Sequence, residues 1–100
     1  MFVVIFKATV AQLDSNYFET AQLMRQKAFS QYGCLKFESF QENDQEVALS
    51  YWPDLASIHA WQQDPEHLMA QNTGRERWYT NYSVEVCEIL RQYAGTSTQK

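Results

Sequence analysis

From Phe2 to Val10 apolar residues follow one another almost without a break, and the polar stretch from Gln12 to Asn16 closes the run. Such a dense Val, Ile and Phe segment predicts a buried strand over residues 2–10. The period then changes. Tyr17, Ala21, Met24 and Ala28, flanked by Phe18 and Phe29, recur at three- and four-residue steps, which puts one apolar stripe on a helix of about four turns. Asp14 or Ser15 supplies the capping oxygen, and Glu19 is read as a first-turn charge that favours the positive end of the helix dipole. Gly33, after Tyr32, closes the helix because glycine takes the left-handed conformation at no steric cost.

Two short strands follow, over 34–41 and 46–52. Glu42-Asn43-Asp44-Gln45 joins them as a hairpin, since Asn and Asp tolerate turn geometry. Pro53-Asp54 stops the second strand and caps a helix over 54–63 that carries Leu55, Ile58 and Trp61. Asp64-Pro65-Glu66 starts another helix at once, predicted over 65–77, with Leu68, Met69 and Ala70 at its centre. The last strand, over 81–91, carries Val84, Val86, Ile89 and Leu90.

Strand, helix, strand, strand, split helix, strand is the order of a ferredoxin-like α+β fold, βαββαβ, with a four-stranded antiparallel sheet. Its helices lie on one face of the sheet. At about 4.8 Å per strand and about 3.3 Å per residue, the other face spans on the order of 400 Å². That is near the largest apolar patch a soluble monomer shows. The first strand is apolar on both sides, with Phe2, Val4 and Phe6 on one and Val3 and Ile5 on the other. A second copy, packed sheet against sheet, is therefore expected to cover it.

Composition narrows the class. One hundred residues, 45% hydrophobic and 15% aromatic, suffice for one small core. The domain is read as residues 1–94, and residues 95–100 as a polar tail. A net charge of −4 with scattered basic residues makes no footprint for nucleic acid. The first strand is too short to cross a membrane and lacks the flanks of a signal peptide, so a cytoplasmic protein is expected. Cys34 and Cys87 lack metal-site or redox-motif spacing and read as reduced, small hydrophobes. Three glycines leave no room for a dinucleotide loop.

A longer pattern covers the second half: Tyr51-Trp52-Pro53-Asp54, Trp61, Asp64-Pro65-Glu66-His67, Ala70-Gln71, Gly74-Arg75, Tyr79, Tyr82 and a closing Val84-Glu85-Val86. With the first strand and helix, this set resembles the antibiotic biosynthesis monooxygenase superfamily, within it the haem-degrading monooxygenase-like group. The resemblance implies a homodimeric α/β-barrel with a pocket in each subunit between sheet and helices. It also implies oxidation of a small aromatic or quinone-like compound without metal or flavin, haem cleavage, or isomerisation; many members have no known activity. Trp61 follows Trp52 by nine residues, as in the haem-cleaving branch. That branch has a haem-ligating His where Gln71 stands, and a first-strand Asn where Phe6 or Lys7 stands. Gln cannot replace the imidazole, so no cofactor is expected, with haem kept only as an alternative.

His67 and Arg75 are the candidate catalytic residues. His67 lies four residues before Gln71 on one helical face and suits acid–base work near neutral pH; its other reading is a helix end or a subunit contact. Arg75 presents a planar fork to a carboxylate or carbonyl, or pairs with Glu66 or Glu76. Trp52, Trp61, Gln71, Tyr79 and Tyr82 are the candidate ligand-binding residues, with core packing as the alternative for the two phenols. His59 reads as solvated, and Lys36, Glu38, Glu85 and Glu88 as solvent or interface positions. Two histidines without a carboxylate at ligand spacing do not make a zinc or iron site. The expected function is a cofactor-independent monooxygenase-like activity on a small apolar or aromatic molecule. The alternative is a dimeric small-molecule-binding or stress-response module without turnover.

Overall fold

In a computed structural model of the protein, residues 1–96 are described. The sheet order is β2-β3-β1-β4, all antiparallel, with β1 Phe2–Val10, β2 Lys36–Glu42, β3 Gln45–Trp52 and β4 Tyr79–Glu88. Helices α1 Ser15–Tyr32, α2 Leu55–Gln62 and α3 Pro65–Thr73 complete the ferredoxin-like α+β arrangement.

The caps follow the sequence closely. Asp14 accepts the backbone N–H of Tyr17 at 2.9 Å, Asp54 that of Ser57 at 2.8 Å, and Asp64 those of Glu66 and His67 at 2.9 and 3.2 Å. Pro65 opens α3, where a missing N–H costs nothing. Gly33, at φ 78°, closes α1 in the left-handed region. The hairpin turn is tighter than predicted. Asn43 takes φ 56°, so only Asn43 and Asp44 separate β2 from β3. Because α1 begins at Ser15, Glu19 falls in its second turn, and no acidic residue stands in the first.

The register decides what faces the helices. Phe2, Val4, Phe6 and Ala8 lie opposite Trp52, Ser50, Ala48 and Glu46 of β3, and side chains with this parity point toward α1 and α2. Val4, Ala28, Cys34, Trp52, Ile58 and Trp61 form the buried core. Trp52 is completely enclosed and its Nε1 donates to Ser50 Oγ at 2.8 Å.

Two departures from the predicted elements shape the site. The helix expected over 65–77 ends at Thr73 and passes into a π-helical turn, Gly74–Trp78. The last strand then begins at Tyr79 rather than at residue 81 and ends at Glu88. A register shift at Thr9/Val10 sets Val10 opposite Tyr79 while Ala8 faces Tyr82. Tyr82 already shares the inward parity of Val84 and Val86, and the extra residue brings Tyr79 to the same helix side of the sheet, as a bulge does by re-aiming one side chain. Residues 97–100 of the expected tail lie outside the described residues.

Candidate functional site

Between the sheet and α1 lies a cavity of about 600 Å³, closed at one end by α2 and α3 and at the other by the π turn. Val4, Phe6 and Ala48 form its floor, and Phe18, Ala21 and Met24 of α1 its roof. These side chains come from the inward parity of the strands and the apolar stripe of the helix, so the wall is mostly hydrocarbon and aromatic.

Polar groups enter at a few points. At one end the rings of His67 and Trp61 stack at 4.2 Å and 20°, and Trp52 backs Trp61 at 5.1 Å. Burial pushes the His67 imidazole below its ordinary value, partly offset by the nearby backbone of Gln62 and Trp61 and the Asp64 carboxylate. Its Nδ1 is enclosed with no hydrogen-bond partner, as are Nε1 of Trp61 and Nε1 of Trp78. Asp64 places this histidine. Its carboxylate caps α3, takes Lys27 Nζ at 2.8 Å and accepts Tyr32 Oη at 2.6 Å. Those bonds tie the start of α3 to α1, and they hold the Asp64 carboxyl well below the usual carboxylate range, Lys27 first and Tyr32 second.

At the other end Glu46 projects inward from β3, nine-tenths buried, and the Tyr17 hydroxyl donates to its Oε1. Tyr79 stands beside both. Desolvation first, then the Glu46 carboxylate, pushes the Tyr17 and Tyr79 phenols far above their ordinary values, so both keep their protons. Arg25 stands on the roof, donating to Ser39 Oγ at 3.0 Å with its guanidinium 4.9 Å from the Phe37 ring.

Of the residues singled out in the sequence, His67, Trp61, Gln71 and Tyr79 line the cavity. Trp52 stands behind Trp61 without lining it. Arg75 and Tyr82 sit outside, on an exposed corner where Arg75 Nη1 donates to Tyr82 Oη at 3.1 Å and Nη2 to Asn72 Oδ1. Neither Glu66 nor Glu76 pairs with Arg75 among the described residues. Thr73 and Gly74 keep α-helical dihedrals, and eight residues at about 3.6 per turn carry Arg75 about 80° around the axis from His67, toward Asn72 and Tyr82, which hold its guanidinium outside. Leu68 and Met69 also point outward, 40% and 69% exposed.

Sequence reading missed Glu46, Tyr17 and Arg25 as site residues. A signal for Glu46 existed: it shares the alternation of Ala48, Ser50 and Trp52, so an inward Trp52 implies an inward Glu46. Among the described residues no three His, Cys, Asp or Glu side chains group as a metal site, and no helix is long and apolar enough to cross a membrane.

Known proteins share this architecture. The structure of Rv0793 from Mycobacterium tuberculosis superposes with a TM-score of 0.78 at 14% identity, covering 93% of this chain and 98% of that one. SnoaB, a cofactor-independent oxygenase from Streptomyces nogalater, superposes with a TM-score of 0.75 at 13% identity, covering 91% and 94%. At those identities the likeness establishes the fold. Closer in sequence is Uncharacterized protein YqjZ of Bacillus subtilis (strain 168), 37% identical over 92 residues, 91% of this chain and 81% of that protein. The sequence pattern of the antibiotic biosynthesis monooxygenase family matches residues 1–73, and with it the chain belongs to that family.

Proposed function

We propose that the protein is a cofactor-independent oxygenase for a small aromatic or quinone-like compound held in the cavity between sheet and α1. The observation that carries this reading is the cavity itself. Its volume, about 600 Å³, falls among those of small-molecule sites, and its wall is aromatic and aliphatic with few convergent polar groups. SnoaB, with the same fold, is described as a cofactor-independent oxygenase.

In this reading Trp61 and Tyr79 hold the ring, Trp52 fixes Trp61 from behind, and Gln71 bonds a ligand oxygen. His67, kept neutral by burial, moves a proton at the ring edge. Arg75 and Tyr82, both off the wall, serve the corner that carries the π turn. A ring CH₂ activated by a carbonyl balances without added reductant: two C–H bonds break, a C=O bond forms with one atom of dioxygen, and the other leaves as water.

The wall does not suit haem. Gln71 offers an amide where iron takes an imidazole, and His67 lies flat against Trp61 with Nδ1 enclosed.

A homodimer is part of the proposal. The helices lie on the Val4 side, while Val3, Ile5, Val47, Leu49 and Tyr51 share the opposite face. A second copy would remove that face from water. Ile5→Lys is expected to convert the dimer to a monomer in sedimentation analysis; a wild-type monomer at micromolar concentration would end the dimer reading.

Oxygen uptake tests the activity, with anthrone and 1,4-dihydroxynaphthalene as probes. Uptake above the buffer rate, lost in Trp61→Ala, is expected. Rates equal to buffer for both probes would overturn the oxygenase reading.

A further inference from the structure

The cavity has two chemically different ends, and the reading above gives work to only one. Inward positions on β3 run Glu46, Ala48, Ser50, Trp52. At about 3.3 Å per residue, Glu46 stands about 13 Å from Ser50 along the floor. Ser50 bonds Trp52, which backs the Trp61–His67 stack, so Glu46 and the imidazole belong to opposite ends of the cavity.

A carboxylate out of water is costly unless opposite charge or hydrogen bonds compensate it. Among the described residues no Lys, Arg or His lies within ion-pair distance of Glu46. Its compensation comes from phenols: Tyr17 donates to Oε1, and Tyr79 stands alongside. An ionised carboxylate offers about four acceptor positions. The two phenols take two at most. The remaining acceptor capacity borders the cavity, whose wall Glu46 helps to form, and hydrocarbon such as Phe6 and Ala48 cannot fill it.

The phenols themselves are unsuited to accept a proton, since burial keeps both protonated. Their place against Glu46 is fixed by local structure. Tyr17 follows the Asp14 cap of α1, and Tyr79 is turned inward by the register shift at Thr9/Val10.

We infer that Glu46 is the docking group for a ligand hydroxyl, that of a phenol, an enol or a hydroquinone, at the end of the cavity opposite His67. The inference rests on the reading of this cavity as a ligand site.

The test compares 2-naphthol with its methyl ether, 2-methoxynaphthalene, by equilibrium dialysis against the full chain. The two differ by one donated hydrogen bond. With a charged acceptor the naphthol is expected to bind about tenfold more tightly, the factor that corresponds to about 1.4 kcal/mol. Glu46→Gln, which still accepts from Tyr17, is expected to narrow the preference to about threefold or less. Glu46→Met is expected to abolish it. Equal binding of both probes to the wild type, or an undiminished preference in folded Glu46→Gln, would overturn the assignment of Glu46 and leave the cavity reading standing. Failure of both probes to bind would remove that reading and this inference together. A cooperative thermal transition in Glu46→Gln confirms that the comparison is made on folded protein.

Discussion

Gly74→Ala separates two opposing effects at one atom. Gly74 begins the π turn at φ −59° and ψ −46°, where alanine fits without backbone strain. On backbone grounds alone the change should stabilise the fold by about 0.5–1 kcal/mol, because glycine loses more freedom on folding. The packing says the opposite. A Cβ at this position would stand 2.8 Å from Tyr79 Cε2 and 3.0 Å from Cδ2, whereas carbons pack at about 3.5–4.0 Å. The Tyr79 ring would have to retreat by roughly 0.7 Å. Phe6 lies 5.4 Å away and Tyr17 6.3 Å away, centroid to centroid, so the ring moves either against these two or into the cavity, away from its place beside Tyr17 and Glu46. Overpacking of this kind costs about 1–3 kcal/mol. Set against the backbone gain, the net loss is centred on about 1 kcal/mol and reaches about 2.5 kcal/mol at most. Urea denaturation followed by tryptophan fluorescence, at fixed protein concentration, measures it. For a urea slope of about 1.5 kcal/mol/M, a loss of 1 kcal/mol lowers the midpoint by about 0.7 M. A midpoint equal to or above wild type would refute the claim that Gly74 is there to seat the Tyr79 ring.

The other predictions concern the core and two titrating groups. Trp52→Ala, at the one large side chain with no exposure among the described residues, is expected to cost about 3–5 kcal/mol in the same denaturation assay, a large share of the stability of so small a domain. His67 is held below the ordinary imidazole value near 6.5, so under that pH the unfolded chain takes up a proton that the folded chain refuses. Stability should therefore fall as pH drops from about 6.5 toward the folded value, and midpoints at pH 5 and 7 should converge in His67→Gln. Asp64 is depressed below the ordinary carboxyl value of 3.8; its contribution is complete above that value and lost as pH falls through the folded value. An acid titration by circular dichroism should show Asp64→Asn losing less stability below about pH 4 than wild type does.

Element types, their order and the fold class were legible in the sequence because they rest on local facts. The run from Val3 to Phe6 has no polar break, Asp14, Asp54 and Asp64 stand where caps are needed, and Pro65 and Gly33 act on their own φ angles. His67 and Gln71 share one wall because a four-residue spacing on α3 puts them on one face, and Trp61 of α2 reaches that wall by stacking on His67. Arg75 does not, since eight residues of helix turn it away from His67, and Asn72 and Tyr82 hold its guanidinium outside. The π turn that follows has no local signal: there the Tyr79 ring packs on Gly74, and Tyr79 is set inward by the register shift at Thr9/Val10, which belongs to two strands far apart in the chain. Glu46 shows the same limit. Its alternation with Trp52 was readable, but its burial depends on Tyr17 of α1 and Tyr79 of β4 meeting over β3. Propensity and periodicity act within a dozen residues and determine what each segment becomes. Which side chains share a cavity is decided by strand register and helix docking, where the free energy lies in contacts between segments.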